Sequence, residues 1–82
     1  MSKITYSEDE ELFKRALGNR ITDLRHQYGF TQEELADSMK IAVRSLSEIE
    51  NGKCCPNSIM LYRIAGALDL DLKSVLDFMY KR

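Results

Sequence analysis

The sequence predicts an all-α fold, with five helices packed into one small domain. Its 82 residues include only four glycines and one proline, which leaves little room for strands linked by tight turns. Apolar residues recur at spacings of three and four along most of the chain, as they do on one face of a helix. These patterns place helices near residues 8–28, 31–39, 42–51, 57–68 and 72–80.

The first predicted helix follows a flexible N-terminal arm of residues 1–7, and the domain proper takes up residues 8–82. Gly29 ends this helix, since glycine readily adopts the left-handed backbone found after a last helical turn. Gly18 lies in the middle, where it costs about 1 kcal/mol relative to alanine. Two alternatives therefore stand: one continuous helix, or a break at Gly18 with a separate turn before it.

Residues 31–52 contain two short helices joined by a tight turn. Thr31 and Glu34 have the spacing of a capping box, in which each side chain satisfies a backbone N–H at the helix start. The second helix has two distinct faces at about 100° per residue. Its packing face holds Ala42, Leu46, Ile49 and Glu50, and its outward face holds Arg44, Ser47, Glu48 and Asn51. Gly52 takes the left-handed position after the last turn.

This arrangement meets the requirements of a helix-turn-helix, in which the second helix enters the major groove of DNA. The residues that fit the motif and its flanking helices are Thr31, Gln32, Leu35, Ala36, Leu46, Ser47, Ile49, Glu50, Gly52, Pro56, Ile64, Ala65, Ala67 and Leu68. In these positions the chain resembles the Cro/CI-type domain, also called XRE or lambda-repressor-like, over about residues 17–76. The resemblance implies a five-helix lambda-repressor-like fold that binds DNA.

The resemblance also implies roles for individual residues. The residues expected to contact bases are Val43, Arg44, Ser47 and Glu48. Gln32 corresponds to a family residue that anchors a phosphate, and Asn51 and Lys53 are further phosphate candidates. Arg25 would pair with Glu50 and so orient the second motif helix.

Several of these roles have a plainer alternative. Arg44 and Glu48 lie four residues apart and can pair with each other on the helix surface, leaving neither side chain to contact a base. Val43 can equally belong to the edge of the core. Arg25 and Glu50 can be separate surface charges.

Three positions depart from the family pattern. Lys40 stands in the turn where glycine is common, and Asp69 stands where glycine usually follows the fourth helix. Aspartate tolerates the left-handed backbone better than most residues, so the second change is mild. Ala42 replaces the usual serine or threonine cap, so we expect the start of the recognition helix to be less stable by about 1 kcal/mol.

The last predicted helix, residues 72–80, carries more apolar surface than docking on one side requires. We therefore expect a homodimer interface there, formed by Val75, Phe78 and Met79. The alternative is that the first helix covers both faces within the monomer.

The charge distribution is compatible with DNA binding, although the formal net charge is −1. Residues 1–11 hold one lysine and four acidic residues, so residues 12–82 carry eleven basic and nine acidic groups. That excess is small for a DNA-binding protein. It indicates binding through a few placed cations and a dimer rather than through a broad positive field.

Several classes of function lack support in the sequence. There are no paired carboxylates, nucleophile with a base, or glycine-rich phosphate loop, so we expect no enzyme, catalytic residue or cofactor. His26 is the single histidine, and adjacent Cys54 and Cys55 make a poor zinc site; we expect no metal, and half-buried free thiols. No apolar segment suits a membrane span or signal peptide, which predicts a cytoplasmic protein, and no small-molecule partner is evident.

The sequence therefore predicts a DNA-binding transcriptional regulator, such as a repressor, acting as a homodimer on a pseudo-palindromic operator. A single module of this size contacts only a few base pairs, so specificity needs two half-sites. The alternative is a protein-interaction module on the same fold, such as an antitoxin-like partner, with little or no DNA binding.

Overall fold

The computed structural model describes the backbone of residues 6–80 and the side chains of residues 9–78. Over this range it is helical, without strands, and the predicted all-α fold with five helices is confirmed. The helices are α1 (Tyr6–Gln27), α2 (Gln32–Met39), α3 (Val43–Glu50), α4 (Ser58–Ala67) and α5 (Leu72–Val75), followed by a 3-10 helix (Asp77–Tyr80).

The expected arm, residues 1–7, falls largely outside the described residues. The backbone of Tyr6 and Ser7 already belongs to α1, which begins two residues earlier than predicted.

One hydrophobic core holds the helices together. Its fully enclosed members come from all five helices and are Leu17, Ile21, Leu35, Met39, Leu46, Ile64 and Val75. α1 contacts α3, α5 and the 3-10 helix, while α2 contacts α3 and α4. The short helices α2 and α3 are thus fixed by tertiary packing, which helices of eight residues require.

α1 continues through Gly18 without a break. Gly18 is buried where the carboxyl end of α3 crosses α1, and a Cβ added there would meet the backbone of Ile49 and Glu50. The glycine therefore lowers helix propensity but permits a close helix crossing. Of the two alternatives, the continuous helix is correct.

The last helix differs from the prediction for residues 72–80. α5 ends at Val75, and Leu76 leads into the 3-10 helix. Arg20 of α1 donates Nη2 to the Ser74 carbonyl oxygen at 2.6 Å and Nε to that of Val75 at 3.4 Å. These carbonyls would accept from residues 78 and 79 in a longer α-helix, so Arg20 takes the place of those bonds.

The dimer interface expected on this segment is corrected at one position, Val75. Val75 is fully buried in the monomer core, so it has no surface to offer a partner. Phe78 is half-buried and its ring lies 6.0 Å from that of Phe13 on α1. α1 therefore covers Phe78 in part, and its place in a dimer interface stays a prediction; the side chain of Met79 lies outside the described residues.

Candidate nucleic-acid interface

The turn between α2 and α3 is closed by backbone hydrogen bonds. Lys40 caps α2 in the left-handed conformation, with φ 63°, and its N–H donates to the Asp37 carbonyl. The N–H of Ile41 donates to the Ala36 carbonyl at 3.0 Å. Lys40 thus adopts the conformation for which the family uses glycine, and it does so without the freedom that glycine has.

The two helix starts are held differently. At α2 the capping box is present: Thr31 Oγ1 accepts from the Glu34 N–H at 3.0 Å, and Glu34 Oε1 accepts from the Thr31 N–H at 2.9 Å. At α3, Ala42 has the extended backbone of a cap residue but supplies no side-chain hydrogen bond. α3 therefore begins without a side-chain cap, and the lower stability expected of its start stays a prediction.

The outward face of α3 carries the four expected base contacts. Val43 is 39% exposed, and the Arg44 side chain is 90% exposed. Arg44 Nε lies 3.7 Å from Glu48 Oε2, which makes a loose surface pair rather than a short charge-assisted hydrogen bond. The Asn51 amide donates weakly to Ser47 Oγ at 3.4 Å. Ser47 and Glu48 are half-buried, and these weak contacts leave the polar groups of this face available to other partners.

A buried ion pair fixes the far end of α3. Arg25 Nε donates to Glu50 Oε2 at 2.8 Å, and Nη2 donates to Oε1 at 3.1 Å. Arg25 also donates Nη1 to the Phe30 carbonyl at 3.0 Å, which ties the α1–α2 loop to the same guanidinium. Both charged residues are buried, so each depends on the other for compensation of its charge.

Gln32 adds a third side chain to this ion pair. Its Nε2 donates to Glu50 Oε1 at 3.0 Å, and the residue is half-buried at the start of α2. One amide hydrogen is thus committed to Glu50, and the second can be donated to another acceptor. The expected phosphate residue therefore also belongs to the ion-pair network.

The other two phosphate candidates, Asn51 and Lys53, are exposed just beyond α3. Gly52 between them has φ 73°, as predicted for the position after the helix. The N–H of Lys53 donates to the Glu48 carbonyl at 2.9 Å, so this end of the loop is anchored on α3.

An open groove of about 530 Å³ lies between the starts of α2 and α3. Its walls include Phe30, Gln32 and Val43, together with His26, which is exposed. Sequence reasoning missed Phe30, which packs against the core directly before the capping box. The sequence signal that could have indicated Phe30 is its position just before a capping box, because an apolar residue at that place commonly packs on the first turn of the helix.

Metal chemistry gains no support from the geometry. Among the residues the structure describes, no three His, Cys, Asp or Glu side chains converge on a point where they would hold an ion. Cys54 and Cys55 are free thiols and both are exposed, which corrects the expectation that they are half-buried.

Within residues 6–80, none of the helices combines the length and apolarity needed to span a bilayer.

Two short packed helices joined by a tight turn, with a polar outward face on the second, define the helix-turn-helix class. A family model described as "Helix-turn-helix domain" matches residues 18–78. The chain belongs to this family, and the predicted XRE-type resemblance is confirmed.

Individual relatives agree with this assignment. The transcriptional regulator ClgR of Mycobacterium tuberculosis is 37% identical over 65 residues, which are 79% of this chain and 58% of that protein. The chain thus spans less than two thirds of that relative's length. The crystal structure of the clp gene regulator ClgR from C. glutamicum has a TM-score of 0.74 at 31% identity, covering 78% of this chain and 83% of that one.

A third comparison supports the fold alone. The restriction-modification controller protein C.AhdI from Aeromonas hydrophila has a TM-score of 0.76 at 23% identity, covering 78% of this chain and 97% of that chain. These relatives are named as regulators, and no catalytic family is indicated.

Proposed function

We propose that this chain binds double-stranded DNA with sequence specificity and regulates transcription, acting as a homodimer on a pseudo-palindromic operator. The observation that carries the proposal is the exposed polar face of α3, on a helix fixed to α1 by the buried Arg25–Glu50 pair. A helix presented in this way fits the major groove in width. The ClgR relatives, named as regulators, support the same class.

Arg44 is the strongest candidate for a base contact. Its side chain is almost wholly exposed, and its loose pairing with Glu48 costs little to give up. The guanidinium can donate two parallel bonds to guanine O6 and N7, a contact worth about 1–3 kcal/mol of discrimination. Val43 can pack on a thymine methyl group, Glu48 can accept from cytosine N4, and Ser47 can bond to several bases.

Phosphate contacts would fix the register of α3 in the groove. Gln32 lies at the start of α2, where backbone N–H groups and the helix dipole favour an anion. Asn51 and Lys53 lie just beyond the end of α3. Phosphate contacts from both helices of the motif would align α3 with the DNA backbone, and their loss should weaken binding to all sequences alike.

Val75 is buried and cannot contribute to a homodimer interface, while Phe78 is half-buried. The outer face of α4 is a better candidate, since Ile59 is 55% exposed and Tyr62 74% exposed. Tyr62 also borders a groove of about 470 Å³ with Leu70 and Leu72. Adjacent exposed apolar side chains of this kind are typical of an interface.

Selection of bound duplexes from a random DNA pool, at two salt concentrations, tests sequence recognition. We expect enrichment of an inverted repeat, with binding that falls steeply as salt rises because phosphate contacts release counterions. Arg44→Ala should lose a guanine preference at one position of each half-site. Lys73→Ala removes an exposed cation from α5 and should select the wild-type sequence. No enrichment at low salt would overturn the proposal.

Sedimentation of two charge-insertion variants tests the dimer surface. Tyr62→Asp places a carboxylate on the outer face of α4 and should yield a monomer that binds the operator weakly. Leu12→Asp makes the matched change at an apolar residue of α1, 52% exposed, and should remain a dimer. If Tyr62→Asp stays dimeric with unchanged affinity, the interface lies elsewhere while DNA binding itself still stands.

Two observations favour the second candidate function, a protein-interaction module. The formal net charge is −1, and Glu48 places a carboxylate on the outward face of α3. Both features would repel DNA phosphates, whereas they would attract a basic partner protein. The same selection experiment separates the two functions, since this alternative predicts little DNA binding even at low salt.

A further inference from the structure

The loop between α3 and α4 carries a feature that the proposed function leaves unused. Cys54 and Cys55 are the two cysteines of the chain, adjacent in sequence, and both thiols are free and exposed. They follow Lys53 directly, so they lie next to the proposed phosphate contacts at the end of α3. Any group attached to them would alter the same edge of the surface.

The loop is held at both ends, which presents the two thiols from a defined backbone. At its start, the Cβ position of Gly52 lies 3.1 Å from Arg15 Cα, so the loop touches the backbone of α1. At its end, Pro56 is buried. The Cys55 thiol donates only a weak hydrogen bond to the Pro56 carbonyl at 3.6 Å, which a stronger ligand can replace.

Cys55 also borders a cavity of about 320 Å³ together with Glu10, Phe13 and Lys14. The Phe13 ring gives this cavity an apolar wall. The pKa of Lys14 is raised, chiefly by its hydrogen bond to Glu11, and Cys55 contributes to the shift. Lys14 thus places a cation on the wall of the cavity that Cys55 borders.

The chemistry of two adjacent thiols selects among thiophilic ligands. Zinc takes four ligands, which the described residues do not supply here. A linear two-coordinate ion needs its sulfurs on opposite sides, and a disulfide between neighbouring residues closes a small strained ring. A pyramidal trivalent arsenic atom bonds two soft sulfurs that can approach each other, as the exposed thiols of neighbouring residues can by rotation of their side chains, and it carries a third substituent that requires space.

We propose that Cys54 and Cys55 form a chelating site for monosubstituted trivalent arsenicals, and that occupation of this site weakens DNA binding. The cavity beside Phe13 gives the organic substituent an apolar place to lie. Binding of the arsenical is independent of the proposed function, while its effect on DNA binding rests on that function.

The binding step is a substitution without a change of oxidation state. An organoarsenic oxide, R–As=O, reacts with both thiols to form two As–S bonds while the As=O bond is lost. The two thiol protons leave in the water that is released. Arsenic stays trivalent, so no oxidant or reductant is consumed.

Intact-mass measurement of the whole protein, treated with phenylarsine oxide, tests the site directly. We expect one adduct per chain, equal in mass to phenylarsine oxide less one water, that survives excess glutathione and is removed by 1,2-ethanedithiol. Cys54→Ser and Cys55→Ser each leave a single thiol, so glutathione should strip their adducts. A wild-type adduct lost to glutathione, or a single variant that retains it equally, excludes the chelate.

Anisotropy with an operator duplex tests the coupling to DNA. The adduct should weaken binding about tenfold, since it disturbs the phosphate contact of Lys53. The Cys54→Ser/Cys55→Ser double variant, treated in the same way, should keep its affinity. Unchanged affinity with the adduct in place overturns the coupling. Failure of the untreated protein to bind any DNA counts instead against the proposed function, and the mass experiment still decides the thiol site.

Discussion

Gly18 on α1 and Glu50 at the end of α3 meet backbone to backbone. A Cβ placed on Gly18 would lie 2.5 Å from the Glu50 carbonyl oxygen and 2.6 Å from that of Ile49. Both distances are shorter than real Cβ contacts, and both neighbours are main-chain atoms that cannot turn aside as a side chain does. The position of the recognition helix on α1 therefore depends on the absence of a side chain at residue 18.

Gly18→Ala is expected to destabilise the protein although alanine is the better helix former. The gain in propensity is about 1 kcal/mol, whereas forcing α1 and α3 apart costs more, so we expect a net loss of about 1–3 kcal/mol. Gly66→Ala is the matched control, because Gly66 lies within α4 with no neighbour within 4 Å. It should gain about 0.5–1 kcal/mol. Urea unfolding of both variants checks this, and a stabilised Gly18→Ala would contradict it.

Glu50→Gln should test the buried ion pair at almost constant shape. The substitution leaves the Arg25 guanidinium, 8% exposed, without a compensating charge, so we expect a loss of about 3 kcal/mol. Glu48→Gln removes the same charge from the exposed pair with Arg44 and should change stability by less than about 0.5 kcal/mol. Thermal or urea unfolding measures both, and equal losses would show that the buried pair is worth no more than the surface pair.

Local signals in the sequence predicted most of the fold. The capping box at Thr31, the glycines after α1 and α3, and the apolar spacings placed four helices to within two residues of their bounds. The early end of α5 could not be predicted because it depends on a long-range contact: Arg20 bonds to the Ser74 carbonyl from 54 residues away. The contact between Phe13 and Phe78 is likewise long-range.

In the candidate site, too, the features set by local sequence could be predicted from it, whereas those that join distant residues could not. The outward face of α3 follows from helix periodicity, so its polar residues could be assigned from the sequence. The Arg25–Glu50 pair spans 25 residues, and only the family resemblance indicated it. The role of Gln32 in that network had no sequence signal, since an amide at a helix start suits a phosphate as well as a carboxylate.

Lys40→Gly should stabilise the protein by relieving the turn. Lys40 has φ 63°, and the left-handed backbone costs a residue with a Cβ about 1–2 kcal/mol, part of which glycine loses again as entropy of the unfolded chain. We expect a net gain of about 0.5–1 kcal/mol in urea unfolding. Asp69→Gly, at φ 58°, should gain less because aspartate tolerates this conformation. A larger gain at Asp69 would contradict the account.

Asp71 should make the stability of the C-terminal segment depend on pH. It caps α5, its Oδ1 accepts from the Ser74 N–H at 2.8 Å, and hydrogen bonding to Ser74 lowers the pKa of its carboxyl group below the ordinary 3.8. Because the folded pKa is depressed, the unfolded chain binds the proton first as the pH falls. The stabilisation is therefore complete above 3.8 and is lost as the pH drops through the folded pKa.

Asp71→Asn isolates this effect, since asparagine caps a helix about as well as aspartate but does not titrate. Urea unfolding of both proteins, from neutral pH to below 3.8, gives the difference in their free energies of unfolding. The wild type should lose stability relative to the variant as the pH falls through this window, because protonation removes the charge from its hydrogen bond. A difference that stays constant across the window would mean that the Asp71 charge contributes nothing to the cap.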